Sequence, residues 1–415
     1  MASPSRTRLG THGRALAEIT AISGLGILAT AGFQIVAARG LGADEFGLLA
    51  AFLAIINVVA VGSSALRNSV AVATAAAATD PVPSAVHRRW DGPSVEAMVL
   101  GGGATVVMLV VGPFLVGSLD ATWFLVVLTA LSILPYFFFA RAQGILQGVG
   151  ATRSVVWWTT GSQLLQFALT ALAVVLGSGA LGVLLAVLIT VVAGMLGSSL
   201  QLSRGGVVGH ASAFTANSIV VLILTVLFAW MTNADVVLVR AGASAEDSGA
   251  YAAGAVLVKT MLIVPSILSL YLLPRFVRAS DDRARTRQGL NLTLAFTLVT
   301  GVLIFGGVWL LGGPIVQLLY GSDYAATAAF LPWMALMCLP WSMAQAVLIS
   351  LTAGASRIGL VMAVLAAALQ LGSFMIALPD VLLAIGLNGL VGLLTLVAFY
   401  VAHLLRSHRR PTVVD

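Results

Sequence analysis

Charge is scarce in this chain. Only 9% of its 415 residues are charged, against 60% hydrophobic, and its mean hydropathy is +1.05. A water-soluble domain carries about 25% charged residues, so a soluble globular protein is excluded. A disordered chain needs the opposite balance and is excluded too. The 43 glycines show no Gly-X-Y period, which excludes collagen. Cysteine is limited to Cys338, so neither an intrachain disulfide nor a thiolate metal cage is available. None of His12, His87, His210, His403 and His408 has a second ligand at helical spacing. No metal or cofactor is therefore expected. Lysine is limited to Lys259; the other basic residues among the 21 are arginines. What remains is an all-α polytopic membrane protein.

A bilayer core of about 30 Å needs roughly 20 apolar residues per helix. Twelve stretches qualify: about 17–38, 46–70, 94–117, 121–143, 154–177, 180–202, 213–238, 249–273, 288–311, 325–350, 356–378 and 381–404. The first is too long for the h-region of a signal peptide. With both termini inside, 17 of the 21 basic residues fall in cytoplasmic connections, and Arg39 and Arg240 fall outside. Arg67 and Lys259 lie within helices. This is the positive-inside asymmetry of a plasma-membrane protein. It accounts for the pI near 10.1, so nucleic acid is not an expected partner. The run from Arg275 to Arg287 also suits anionic lipid.

The two halves align at an offset of 202–205 residues. Ala130-Leu131 matches Ala335-Leu336, Leu134-Pro135 matches Leu339-Pro340, and Gly150-Ala151-Thr152-Arg153 matches Gly354-Ala355-Ser356-Arg357. Six helices per copy is an even number, so both copies face the same way, as in parallel-repeat transporters. The sequence thus predicts two six-helix bundles, 1–205 and 206–415, pseudo-symmetric about a central cleft. Pro135 and Pro340, at equivalent positions, are candidate hinges because each frees a backbone carbonyl.

Ala38-Arg39-Gly40-Leu41-Gly42-Ala43-Asp44-Glu45-Phe46-Gly47 resembles the signature after helix 1 of polysaccharide flippases. These belong to the multidrug/oligosaccharidyl-lipid/polysaccharide exporter superfamily. Asn233-Ala234-Asp235 followed by Glu246-Asp247-Ser248-Gly249-Ala250-Tyr251 resembles the second-half counterpart, and Leu318-Leu319-Tyr320-Gly321-Ser322-Asp323-Tyr324 the segment between helices 9 and 10. The resemblance covers nearly the whole chain. It implies a non-enzymatic protein of the inner membrane that moves a polyprenyl-(pyro)phosphate-linked oligosaccharide to the outer leaflet by alternating access. The partners implied are that lipid-linked glycan, membrane lipids, and glycosyltransferases or a polymerase of the same pathway, around a monomeric flippase.

Such a substrate calls for cations and amides on helices facing the cleft. Lys259, about 15 Å inside its span at 1.5 Å per residue, is read as a phosphate ligand because no acid is expected at its depth. Its repeat mate is Asn57. Arg67 and Arg141 are candidates for the inward-open cleft, with snorkelling as the plainer alternative. Arg39 and Arg240 could receive the phosphate outside or pair with Asp44, Glu45 or Asp235; for Arg240 a surface ion pair is the favoured reading, with Asp235 close by. Gln34 and Gln345 are candidate sugar ligands, although such amides also tie helices together. Gly144 and Gly148 are read as close helix packing, and Trp123, Trp157, Trp158 and Trp333 as interfacial anchors. Two alternatives stand beside the flippase. A cation-coupled multidrug antiporter of the same superfamily would need a carboxylate at mid-membrane. A membrane glycosyltransferase or polysaccharide polymerase would need a large outer loop, and the chain has none.

Overall fold

The structure is a computed structural model that describes residues 5–79, 92–205, 216–262, 283–352 and 355–409. No strand occurs among the described residues. The helices are α1 (Ser5–Thr79), α2 (Gly92–Leu119), α3 (Trp123–Gly148), α4 (Thr152–Val175), α5 (Gly179–Gly205) and α6 (Ala216–Met231). They continue with α7 (Ala234–Gly242), α8 (Ala245–Val258), α9 (Arg283–Leu319), α10 (Ala325–Thr352), α11 (Arg357–Ala377) and α12 (Val381–Arg409). Within lipid every backbone polar group must be satisfied inside its own segment, which leaves helices as the economical solution for such apolar runs.

These elements fall on the expected spans, except that residues 263–273 of the eighth (249–273) lie outside the described residues, and the chain is a multi-pass membrane protein. The long α1 is two spans joined at Gly42, whose φ of 74° and ψ of 174° lie outside helical space. A side chain at that φ is strained, so glycine there sets the break. In contrast, α6 and α7 form one span interrupted at Thr232-Asn233. The boundaries of α3, α4 and α5 recur in α10, α11 and α12 displaced by 202 to 205 residues, which is the offset of the sequence repeat. Pro135 and Pro340 lie inside the unbroken helices α3 and α10. Each leaves the carbonyl four residues earlier, of Leu131 and Leu336, without its helical donor.

Two compact units form. One comprises the described residues of Met1–Gly40, Ser63–Val116 and Thr122–Ala213; the other comprises those of Leu41–Gly62, Gly117–Ala121 and Phe214–Asp415. In the first, α3 and α4 pack on α5. Gly144 and Gly148 of α3 lie against the carbonyls of Arg67 and Ala71, the close approach that small residues permit between membrane helices. In the second, α10 packs against α8, α9 and α12 around an apolar cluster in which Phe228 meets Trp341 and Phe399 at 6.1 and 6.2 Å. Large apolar side chains such as Phe114, Leu310 and Ile376 stay 70–78% exposed. In a membrane protein these faces meet hydrocarbon instead of water.

The start of the second span is clasped to α7 and α8 within the second unit. Arg240 Nη1 donates to Asp44 Oδ1 at 2.7 Å, to the Asp44 carbonyl at 3.1 Å and to Ser248 Oγ at 3.2 Å. The Arg240 side chain is 8% exposed. Of the acids the sequence offered Arg240, the partner is Asp44 and not the nearer Asp235, and the side chain is buried instead of lying at the surface. Gly249 lies so close to the Ala43 carbonyl that a Cβ would collide with backbone. Gly249→Ala is accordingly expected to cost about 1–3 kcal/mol, read as a lower melting temperature in detergent; an unchanged midpoint would contradict the close contact.

Candidate functional site

The interruption between α6 and α7 places Asp235 in the first turn of α7, where free N–H groups and the helix dipole favour a carboxylate. Lys259 lies where α8 ends and a 3-10 turn, Lys259–Leu262, begins. A cation is favoured at that end of a helix. The two meet: Lys259 Nζ donates to Asp235 Oδ1 at 2.8 Å, and Tyr251 Oη donates to Asp235 Oδ2 at 2.8 Å. The Lys259 and Asp235 side chains are 23% and 8% exposed. Asp235 thus stands at the depth where no acid was expected, and Lys259 is already paired.

The pair opens on a cavity of about 40 Å³ lined also by Cys338, Trp341 and Asn388. A water needs roughly 10–15 Å³ on this measure, so the cavity admits a few waters and no sugar ring. Its walls are fixed by a buried polar network. Gln370 Nε2 donates to the Met231 carbonyl at 2.7 Å, satisfying the end of α6, and to Asn388 Oδ1 at 2.9 Å. Trp341 Nε1 donates to the Asn388 carbonyl at 3.1 Å. Replacing Gln370 by Leu would leave the Met231 carbonyl buried and unpaired, at about 1–3 kcal/mol. A clear loss of thermal stability is expected, and none would mean that water takes over the bond.

Arg67 forms the second feature, in the first unit. It sits on the second arm of α1, half-buried, with Nη1 donating to Gln143 Oε1 at a long 3.4 Å. Gln143 is buried and donates from Nε2 to Thr159 Oγ1 at 2.9 Å. Arg67 Nε is buried and has no hydrogen-bond partner, and no acid pairs with the guanidinium among the described residues. A guanidinium so placed has donors to spare.

None of the other candidates lines the Lys259 cavity. Asn57 is exposed and does not line the Lys259 cavity. Arg39 is exposed on the first arm of α1, while Arg141, Gln34 and Gln345 are half-buried on α3, α1 and α10. Trp158, expected as an interfacial anchor, donates to Gln201 Oε1 at 2.6 Å and packs on Gly197. The side chains of the Arg275–Arg287 run lie outside the described residues.

Fold and site together define a helical membrane protein with an ion pair at a small cavity in one unit and, in the other, a half-buried arginine that no acid meets among the described residues. No protein-family model and no curated protein matches the chain in sequence. Its fold does match solved structures. One is an inward-facing multidrug resistance MATE family transporter of the MOP superfamily, with a TM-score of 0.68, 14% identity, and coverage of 92% of this chain and 94% of that one. Another is the lipid II flippase MurJ in an inward closed conformation, at 0.67 and 16%, covering 94% and 90%. A Vibrio cholerae MATE transporter in its bent form gives 0.58 and 15%, covering 97% and 98%. The chain shares the fold of these solved structures, which are transporters and a flippase.

Proposed function

We propose that this protein is an alternating-access flippase of the plasma membrane that carries an anionic polyprenyl-(pyro)phosphate-linked oligosaccharide from the cytoplasmic to the outer leaflet. The repeats 1–205 and 206–415 would be its two moving halves, Pro135 and Pro340 their points of flexure, and both termini cytoplasmic. The observation that carries this reading is Arg67. A guanidinium within a membrane span costs about 2.5–3.5 kcal/mol on insertion scales unless something compensates it. Nothing acidic among the described residues does so, and a phosphate is the ligand that suits its planar donor set. Gln143 and Thr159, already bonded in series, hold the arginine in place. Support also comes from the shared fold with a protein described as a lipid II flippase.

A second reading has its own observation. Asp235 is a buried carboxylate of the kind a cation-coupled multidrug antiporter would use. Its charge is already met by Lys259, however, so a cationic drug would have to expel an ammonium ion. Purified protein in vesicles separates the two readings. Polyprenyl-pyrophosphate-linked oligosaccharide is expected to reach the far leaflet, measured by access of a lectin or glycosidase. A cationic dye is expected to stay in place. Dye extrusion without flipping would decide for the antiporter.

A further inference from the structure

We infer that the cavity of the second unit is a head-group site in which an anion and a proton bind together, with Asp235 as the resident anion that the substrate phosphate replaces on Lys259. This rests on the anionic-substrate reading above and adds a second, proton-linked contact to it.

As it stands the cavity holds one ammonium and one carboxylate joined at 2.8 Å, so it is neutral. Among its lining residues the other titratable groups are Tyr251 from α8 and Cys338 from α10; Thr232, between α6 and α7, and Asn388 of α12 carry no charge. Nothing else there can absorb an added negative charge. A phosphate that took Lys259 from Asp235 would leave a carboxylate buried beside an anion, which the low dielectric of such a site penalises heavily. Two routes restore neutrality. The ligand can bring its own cation to Asp235, or Asp235 can take a proton from solution. An oligosaccharide pyrophosphate offers no ammonium group, so the proton remains.

The exchange balances atom by atom. Lys259 Nζ stops donating to Asp235 Oδ1 and donates to a phosphate oxygen. Asp235 Oδ1 takes one proton from bulk water and becomes the hydroxyl of a neutral acid, while Oδ2 goes on accepting from Tyr251. The small volume permits this and little more. A few water molecules give way to a phosphate, whereas the sugars and the lipid stay outside.

Calorimetric titration of the full-length protein in detergent with farnesyl pyrophosphate, in buffers of differing ionisation enthalpy, measures protons taken up per anion bound. The probe titrates as well, so the informative quantity is the difference between the wild type and Asp235→Asn. Asn offers an acceptor to Lys259 and cannot take the proton. A difference of about one proton is expected, corresponding to roughly a tenfold steeper loss of wild-type affinity per unit rise in pH. Lys259→Gln is expected to lose this linkage as well. Equal proton uptake in wild type and Asp235→Asn would overturn the exchange while leaving the flippase reading intact. Flipping without any binding linked to this cavity would do the same. Loss of flipping in the wild type would instead remove the reading on which the exchange rests. If Asp235→Asn does not fold, infrared difference spectra of the wild type serve in its place. A protonated carboxyl band must appear on adding the probe, and its absence would refute the exchange.

Discussion

Asp235→Ala is expected to destabilise the protein by about 3–5 kcal/mol, because it leaves the Lys259 ammonium buried without its counter-charge. Lys259→Ala should cost a similar amount by stranding the carboxylate, softened by the hydroxyl of Tyr251 that remains bonded to it. Replacing both at once, with Asp235→Leu and Lys259→Met, is expected to cost far less than the sum. A buried pair repays little more than its own desolvation, and apolar side chains of similar volume often do as well. Thermal or denaturant unfolding of the four proteins forms the cycle that isolates the pair. Strict additivity would mean that the ion pair at 2.8 Å is weak or wet. The stable double variant is also the informative one for transport, since it keeps the helices packed while removing the exchangeable charge.

Arg67→Gln is expected to act in the opposite sense on stability and more severely on transport. Removing a buried guanidinium whose Nε lacks a partner relieves a cost, so the melting temperature should hold or rise. If the arginine binds substrate phosphate, the variant forfeits charge-assisted hydrogen bonds of about 1.5–3 kcal/mol, or roughly 10- to 100-fold in apparent affinity or flipping rate. Stability kept and function lost is the signature of a residue retained for its ligand. Arg67→Lys should restore only part of the activity, because a point charge does not reproduce the planar fork. Were Arg67→Gln to flip normally, the arginine would be a structural partner of Gln143 and nothing more.

The contrast between these two arginine and lysine sites explains what hydropathy and spacing could and could not convey. Twelve apolar runs sufficed for the spans, since in lipid each helix closes its own hydrogen bonds and owes little to its neighbours. The break at Gly42 follows from a residue that tolerates positive φ. The break between α6 and α7 is not visible in the same way. Ile219–Gly242 reads as one apolar span, and only Asn233 and Asp235 near its end hint that the helix restarts there.

That hidden restart conceals the Asp235–Lys259 pair from the sequence. Counted from the helix ends, Lys259 lies deep and Asp235 shallow. A comparison across the turn would have been more telling. Asp235 lies seven residues before Gly242, the end of α7, and Tyr251 lies six residues after Ala245, the start of α8, so the carboxylate and the phenol are level. Lys259, two helical turns further on, has a long stem and reaches back to them. Arg240 shows the same limit of spacing. Asp235 is its nearest acid in the chain, but on a helix residues five apart face different ways, and Asp44, at the start of the second arm of α1, takes the place. Pairings between elements depend on packing, which one sequence does not display.

The most direct test of the account is the flipping of a polyprenyl-pyrophosphate-linked oligosaccharide by purified protein in sealed vesicles, run on the wild type and Arg67→Gln at equal folded content. The account predicts rapid appearance of the glycan on the far leaflet with the wild type and a fall of about 10- to 100-fold with the variant. Equal rates in the two proteins, or no flipping by a folded wild type, would contradict it.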